Sequence, residues 1–279
     1  MSLKDILKNK LSEEELKLVP RSFDIIGSRE KAVAIIEIPD QLKNKEKIIA
    51  EGIMKLHKNV KSVLKKVSGR KGIERLREYE LIAGDENTEV IHKEYGYILK
   101  LDPRKVYFSP REATERQRIA SKVKDGEKVL VMFCGIAPYC IAIAKKANVE
   151  KVYGIEINEA AHLYAKHNVR VNGLSHKVVL INGDVREVCP KLKEKFDRIV
   201  MPLPLGSETF LDLALKCVKR NGIIHFYSWG KEDNLFENGI KAIEKNVKKF
   251  KKRYEILEKR KVLPYAPKRW KVCIDFKVF

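Results

Sequence analysis

The rhythm of apolar and polar positions changes partway along the chain. Through the first hundred residues the apolar runs are short and separated by charged connectors. Residues 32–38 (AVAIIEI) form an apolar run that stops at Pro39, which predicts a strand. Residues 41–58 place Ile48, Ile49, Ile53 and Leu56 on one side at helical spacing, which predicts an amphipathic helix. Segments 60–67, 80–83, 89–92 and 95–101 read as further strands, punctuated by Gly69, Gly72, Gly84 and Gly96.

After Pro110 strands and helices alternate. Strands are predicted at 128–133, 151–155, 177–181, 197–201 and 222–227. Helices are predicted at 112–123, 138–147, 160–172 (ended by Gly173), 186–195, 208–219 and 232–250, the last long and basic. Segments 254–262 and 271–278 close the chain as a hairpin. This alternation predicts an α/β, Rossmann-type, mostly parallel seven-stranded sheet. A closing hairpin on such a sheet resembles the plan of class I methyltransferases. Two domains are expected: a small N-terminal α+β domain over 1–104 and the Rossmann-type domain over 105–279.

Composition narrows the function. No stretch approaches 18 uninterrupted apolar residues, so no membrane span is expected. The first ten residues alternate charged and apolar positions and lack the apolar core of a signal peptide, which reads as a cytoplasmic protein. The five cysteines, Cys134, Cys140, Cys189, Cys217 and Cys273, are odd in number and include no CxxC pair. Neither a metal site nor a disulfide framework is therefore expected, and four of the five sit in apolar runs as small core residues. The net charge is +20, from 58 basic and 38 acidic residues. A Lys/Glu-rich surface suited to heat would explain abundant charge of both signs but not this excess. A polyanion, nucleic acid first, is the expected partner; no protein partner is indicated.

The strand ends carry the candidate chemistry. After the strand at 128–133 the chain runs Phe133-Cys134-Gly135-Ile136-Ala137-Pro138 into a helix, and Gly135 lets backbone approach a ligand. The loop lacks GxGxxG, so a dinucleotide pyrophosphate is not indicated. Glu156 ends the next strand about twenty residues on, where an acid typically holds ribose hydroxyls. Asn182-Gly183-Asp184-Val185 ends the third strand. Asp184 there can accept from an adenine amino group, or cap the following helix, while the Val185 N–H meets a ring nitrogen. Together the three strand ends suggest S-adenosylmethionine rather than NAD.

Two further motifs carry a resemblance. Tyr107-Phe108-Ser109-Pro110-Arg111 with Thr114-Glu115-Arg116, and Met132-Phe133-Cys134-Gly135-Ile136-Ala137-Pro138, resemble the archaeal and eukaryotic enzymes that act on position 37 of tRNA. That family holds guanine-37 N1-methyltransferases and wyosine-pathway aminocarboxypropyltransferases. The resemblance runs from about Ser22 to the C-terminus and implies an RNA-facing domain before the catalytic one. The methyltransferases usually carry an additional N-terminal domain, which this chain is expected to lack. Where their first-strand motif reads VDMFAGIGPF, Val131 replaces the aspartate and Ala137 the second glycine. Where their fourth strand ends Asn-Leu-Pro, this chain reads Met201-Pro202-Leu203-Pro204. Proline offers neither a side-chain hydrogen-bonding group nor an N–H. These departures point to the branch that transfers the 3-amino-3-carboxypropyl group of S-adenosylmethionine to C7 of 4-demethylwyosine in tRNA(Phe). The alternatives are guanine-37 N1-methylation and a non-catalytic RNA-binding protein.

On that reading Ser109, Arg116, Phe133, Gly135, Glu156, Asp184 and Val185 form the cofactor site. Arg111, Pro202, Arg269 and Trp270 face the RNA or its base. Arg116 either pairs with an anionic group of a ligand or is a solvated helix arginine. His225, in an apolar strand, reads as a core histidine, and no general base stands out. Further basic candidates are Lys65, Lys66, Arg70, Lys71, Arg75 and Arg77, then Lys248, Lys249, Lys251, Lys252, Arg253 and Lys268.

Overall fold

The structure, a computed structural model, describes residues 2–69, 72 and 77–279. The chain divides into two compact units, Met1–Pro110 and Arg111–Phe279. The expected border at 104/105 falls inside the first unit.

The first unit opens with two short helices, α1 (Leu3–Leu7) and α2 (Glu13–Leu18). Hydrophobic periodicity misses both because each is under two turns. Their starts carry capping boxes: Ser2 with Asp5, and Ser12 with Glu15, each pair satisfying two backbone N–H groups. A sheet follows in the order β1 (Asp24–Gly27), β2 (Ala32–Ile36), β3 (Val60–Lys66), β4 (Tyr79–Gly84). β2 and β3 are parallel, and α3 (Glu46–Leu56) makes the crossover. The helix expected over 41–58 is shorter because Asp40–Lys45 forms a 3-10 turn, with Leu42 at φ −106° and fully buried. Leu3, Leu7, Leu42, Ile49, Ile53 and β2 make one core.

β5 (Val90–Glu94) and β6 (Tyr97–Leu101) form a separate hairpin. Tyr95 and Gly96, at φ 38° and 82°, make the two-residue turn, so the strand expected from residue 95 starts at Tyr97.

In the second unit α4 (Ala113–Lys122) leads into β7 (Lys128–Met132), α5 (Pro138–Lys146), β8 (Lys151–Glu156), α6 (Glu159–Val171) and β9 (Val178–Asn182). Then come α7 (Val185–Val188), β10 (Phe196–Met201), α8 (Leu211–Cys217), β11 (Val218–Lys231), α9 (Glu237–Lys249), β12 (Tyr254–Ala266) and β13 (Arg269–Val278). The seven strands order as β12-β13-β11-β10-β7-β8-β9. The five from β11 to β9 are parallel, and β13 and β12 are antiparallel. This is the α/β methyltransferase fold. The chain winds outward from β7 in one direction and resumes at β10 in the other, so the ends of β7 and β10 flank the topological switch point.

β11 is longer than the predicted 222–227. Its Phe226 pairs with Met201, the last residue of β10, yet β11 continues to Lys231 alongside β13. Residues 227–231 therefore project past the parallel strands on the switch-point side.

Candidate active site

The loop after β7 turns through three left-handed residues, strained at Phe133 and Ala137 and free of strain at Gly135. Phe133, Gly135 and Ala137 have φ of 59°, 56° and 67°. Cys134 N–H donates to the Ile155 carbonyl at 2.8 Å, which ties the loop to β8. Gly135 N–H donates to Glu156 Oε2 at 2.7 Å, and Asn158 N–H to Oε1 at 2.9 Å. Glu156, 9% exposed, thus joins the β7 loop to the start of α6. A carboxylate has about four lone-pair sites, so two N–H groups do not exhaust its acceptor capacity.

The third strand end meets the second. Gly183 N–H and the Asn182 side-chain amide both donate to the Glu156 carbonyl, at 2.9 and 2.8 Å. Asp184 caps α7, its Oδ1 accepting from Arg186 N–H at 2.8 Å. Val185 is the first residue of α7, where a helix leaves its N–H without an intrahelical acceptor. Gly135, Glu156, Asp184 and Val185 therefore stand on three strand ends joined by hydrogen bonds. Phe133 packs edge-on against Phe210 at 4.9 Å, and the Arg186 guanidinium lies 4.7 Å from the Phe210 ring centre.

The other expected residues stand on other elements. Arg116 is only 2% exposed on α4, so it is not a solvated helix arginine; its charge acts on the buried Tyr139 hydroxyl. Arg111 is exposed at the start of the second unit, and Ser109 belongs to the first. Pro202 follows β10 directly, and its carbonyl accepts from Lys271 Nζ at 3.0 Å. Arg269 and Trp270 begin β13, with Lys261 Nζ 4.1 Å from the Trp270 ring centre. Trp229, on the projecting end of β11, packs against Tyr265 at 4.1 Å.

The N-terminal basic candidates divide. Lys65 is held by Glu46 at 2.9 Å and Glu80 at 2.6 Å, so it is a partnered ion rather than an open RNA contact. Lys66 lies 3.8 Å from Glu37. Arg70, Lys71 and Arg75 lie outside the described residues. Lys248, Lys249, Lys251 and Arg253 are exposed around the end of α9.

Sequence reasoning missed a buried ionic network linking α4, β10, β11 and β13. Arg118 donates to Glu115 at 2.7 and 2.8 Å and to Asp275 at 2.6 Å. Asp275 meets His225 Nδ1 at 2.6 Å, and His225 Nε2 lies 2.8 Å from Arg198 Nη1. Arg198 also donates to Glu127 at 2.7 and 2.8 Å. A guanidinium only donates, so Nε2 accepts, the ring is neutral, and Nδ1–H donates to Asp275. Burial pushes the His225 pKa down in agreement. Burial would raise the Asp275 pKa, but His225 and Arg118 outweigh it and hold the carboxyl far below the usual carboxylate range. His225, Cys273 and Asp275 bring ligand-type atoms within 4.8 Å of one another. Arg198 and Arg118 already bond to the His225 and Asp275 atoms, which opposes a cation there. The signal available in the sequence was Asp275 and Lys271 inside the apolar run of the last strand (KVCIDF).

A doubly wound sheet with a glycine loop on its first strand, an acid ending the second and a capping acid ending the third defines a nucleoside-binding group transferase. Family comparison agrees. Residues 90–257 match the TRM5/TYW2 methyltransferase domain, and residues 3–88 match the TYW2 N-terminal domain. The chain belongs to the TRM5/TYW2 methyltransferase family and is an enzyme. It is 43% identical over 266 residues to tRNA (guanine(37)-N(1))-methyltransferase Trm5b of Pyrococcus abyssi, covering 95% of this chain and 77% of the relative. The crystal structure of that relative superposes with a TM-score of 0.86 at 42% identity, over 96% of this chain and 78% of that one. It is 30% identical over 277 residues to the tRNA(Phe) (4-demethylwyosine(37)-C(7)) aminocarboxypropyltransferase of Pyrococcus horikoshii, covering 99% and 96%. The structure of P. horikoshii TYW2 in complex with MeSAdo has a TM-score of 0.82 at 29% identity, over 99% and 98% of the two chains.

Proposed function

We propose that this enzyme transfers the 3-amino-3-carboxypropyl group of S-adenosylmethionine to C7 of 4-demethylwyosine at position 37 of tRNA(Phe), releasing 5′-methylthioadenosine. The observation that carries the choice is Pro202. The residue next to the switch point has no polar side chain and no N–H, and its carbonyl is bonded to Lys271. It offers neither a side-chain hydrogen bond nor an N–H to the edge of a guanine. The aminocarboxypropyltransferase relative from P. horikoshii supports the same reading.

The donor set fits S-adenosylmethionine. Glu156 would accept from the ribose hydroxyls, the Val185 N–H and Asp184 would take the adenine edge, and the Gly135 loop would lie against the methionine portion. When bound, the sulfonium makes its three adjacent carbons electrophilic. Attack by C7 on the methionine Cγ forms the C–C bond, breaks Cγ–S, leaves that electron pair on sulfur, and releases the C7 proton. Attack on the methyl carbon would give S-adenosylhomocysteine instead. The enzyme selects by alignment, placing one carbon in line with the nucleophile. RNA would lie on the first unit, on the basic end of α9, and on the hairpin carrying Lys268, Arg269 and Trp270. Among the described residues no helix is long and apolar enough to cross a membrane.

N1-methylation of guanosine 37 is the second reading, favoured by the 43% identity to Trm5b. Incubating the enzyme with S-adenosylmethionine and tRNA carrying 4-demethylwyosine, and in parallel guanosine-37 tRNA, separates the two. Chromatographic detection of 5′-methylthioadenosine with the first tRNA is expected. S-adenosylhomocysteine overturns the proposal and restores the methyltransferase. Binding of S-adenosylmethionine and of both tRNAs without turnover overturns the choice of acceptor base.

A further inference from the structure

The loop between β10 and α8 is fastened at both ends to the antiparallel side of the sheet. At its start, the Pro202 carbonyl accepts from Lys271 Nζ at 3.0 Å. At its end, Ser207 Oγ donates to the Tyr227 carbonyl at 2.6 Å. Both anchors are buried, Lys271 at 3% and Ser207 at 0% exposure. They converge on one place, because the Lys271 ammonium also lies 4.8 Å from the Tyr227 ring centre.

Lys271 is an expensive residue for a loop anchor. A buried ammonium carries a large desolvation cost unless it is paired and hydrogen-bonded. Here Glu112, 4% exposed, supplies the charge, accepting from Nζ at 2.8 Å. The carboxylate and the Tyr227 ring between them hold the ammonium in one position, and its remaining directed bond goes to Pro202. Tyr227 is fixed in turn by its hydroxyl, which donates to Glu115 Oε1 at 2.6 Å. Between the anchors the loop carries Pro202 and Pro204, and Leu205 is 61% exposed. A segment with two prolines, tied at both ends and lying at the topological switch point, is a preset surface rather than an adaptable one.

We infer that Lys271, with Ser207, is a positioning residue that fixes loop 202–206 as the wall against which the acceptor base is aligned. This rests on the group-transfer reading above. With no polar side chain at Pro202, alignment of the base comes from the placement of this wall. Loosening it misplaces the base in line with the sulfonium and slows transfer, while the nucleoside end of S-adenosylmethionine, held on β7, β8 and β9, is unaffected.

The test compares Lys271→Met, Lys271→Arg, Ser207→Ala and the double variant Glu112→Gln/Lys271→Met, which removes both charges of the pair together. Lys271→Met is expected to lower kcat by about tenfold or more, since small misplacements cost about that much, with S-adenosylmethionine affinity changed by less than about threefold. Lys271→Arg should recover part of kcat by donating to both partners. The double variant should regain thermal stability but not kcat. Faster amide exchange at Leu203, Leu205 and Gly206 should accompany each loss. A folded double variant with wild-type kcat and wild-type exchange in the loop overturns the inference; so does a rise in KM for tRNA with kcat intact. If Lys271→Met fails to fold, the double variant and Ser207→Ala decide. The by-product of the wild-type enzyme judges the reaction separately. If that by-product is S-adenosylhomocysteine, kcat is read on methyl transfer. If no turnover occurs, loop exchange alone decides.

Discussion

Glu156 is the residue on which the proposed nucleoside site turns. Its two oxygens each accept a backbone N–H, from Gly135 and Asn158, so it shapes the loop as well as offering acceptors for a diol. Glu156→Gln replaces one acceptor by an amide donor facing an N–H. Hydrogen bonds to a charged group are worth about 1.5–3 kcal/mol, so titration calorimetry should show S-adenosylmethionine binding weakened by roughly 10–100-fold. Unchanged affinity would remove Glu156 from the ribose site. Gly183 supports the same site from the β9 side. Its φ is 151°, and a Cβ there would lie 3.0 Å from a Val188 methyl. Gly183→Ala should cost about 1–2 kcal/mol in chemical denaturation and displace Asp184 and Val185, weakening cofactor binding as well.

At the scale of elements, β13 is unusual in being apolar yet charged: Lys271 and Asp275 lie in a strand whose other central residues form core. Their charge partners are Glu112, just before α4, for Lys271, and Arg118, on α4, for Asp275. This arrangement has a pH signature. Burial lowers the folded-state pKa of His225 below its unfolded value, about 6.5. Between the two values the unfolded chain binds more protons, so stability is full above about pH 6.5 and falls as pH drops. Thermal melts should show a Tm lower at pH 5 than at pH 7. His225→Gln, whose amide can donate to Asp275 and accept from Arg198, should flatten that slope; an equal slope would exclude His225 as its source. Asp275, with its folded pKa depressed, adds a further loss only below about pH 4, where the unfolded carboxyl takes up protons first. The hairpin of β12 and β13 makes a different prediction. If Trp270 stacks on an unpaired base, Trp270→Ala should weaken tRNA binding by about 1–3 kcal/mol in filter binding, without altering S-adenosylmethionine affinity.

For the molecule as a whole, the dominant quantity is the net charge of +20. A protein that neutralises phosphates with Lys and Arg releases counterions, so log K for tRNA should fall linearly with log of salt concentration. Charge reversal at Lys248, Lys249 and Lys251, exposed around the end of α9, should lower the slope as well as the affinity. A flat salt dependence would mean the excess charge serves something other than RNA.

The seven strands of the second unit, their order of appearance and the three strand-end positions at Gly135, Glu156 and Asp184 could all be read from the sequence. Each depends on local rules: apolar runs of strand length, helical periodicity between them, and glycine or acid at the strand ends. Short elements were harder, since α1 and α2 bury too few residues to show a period. Boundaries shifted where turn chemistry won, as at Tyr95-Gly96. The sequence placed Pro202 at the end of a strand and His225 in the core. It did not reveal that Lys271 is bonded to Glu112 and to the Pro202 carbonyl, 69 residues away, or that Arg118, His225 and Asp275 share a buried network. Those partners meet only when α4 packs on the sheet and β13 inserts beside β11. A lone lysine or aspartate in an apolar strand shows no partner in sequence, because the cost of burying its charge is offset by groups that only the tertiary fold brings within hydrogen-bonding distance.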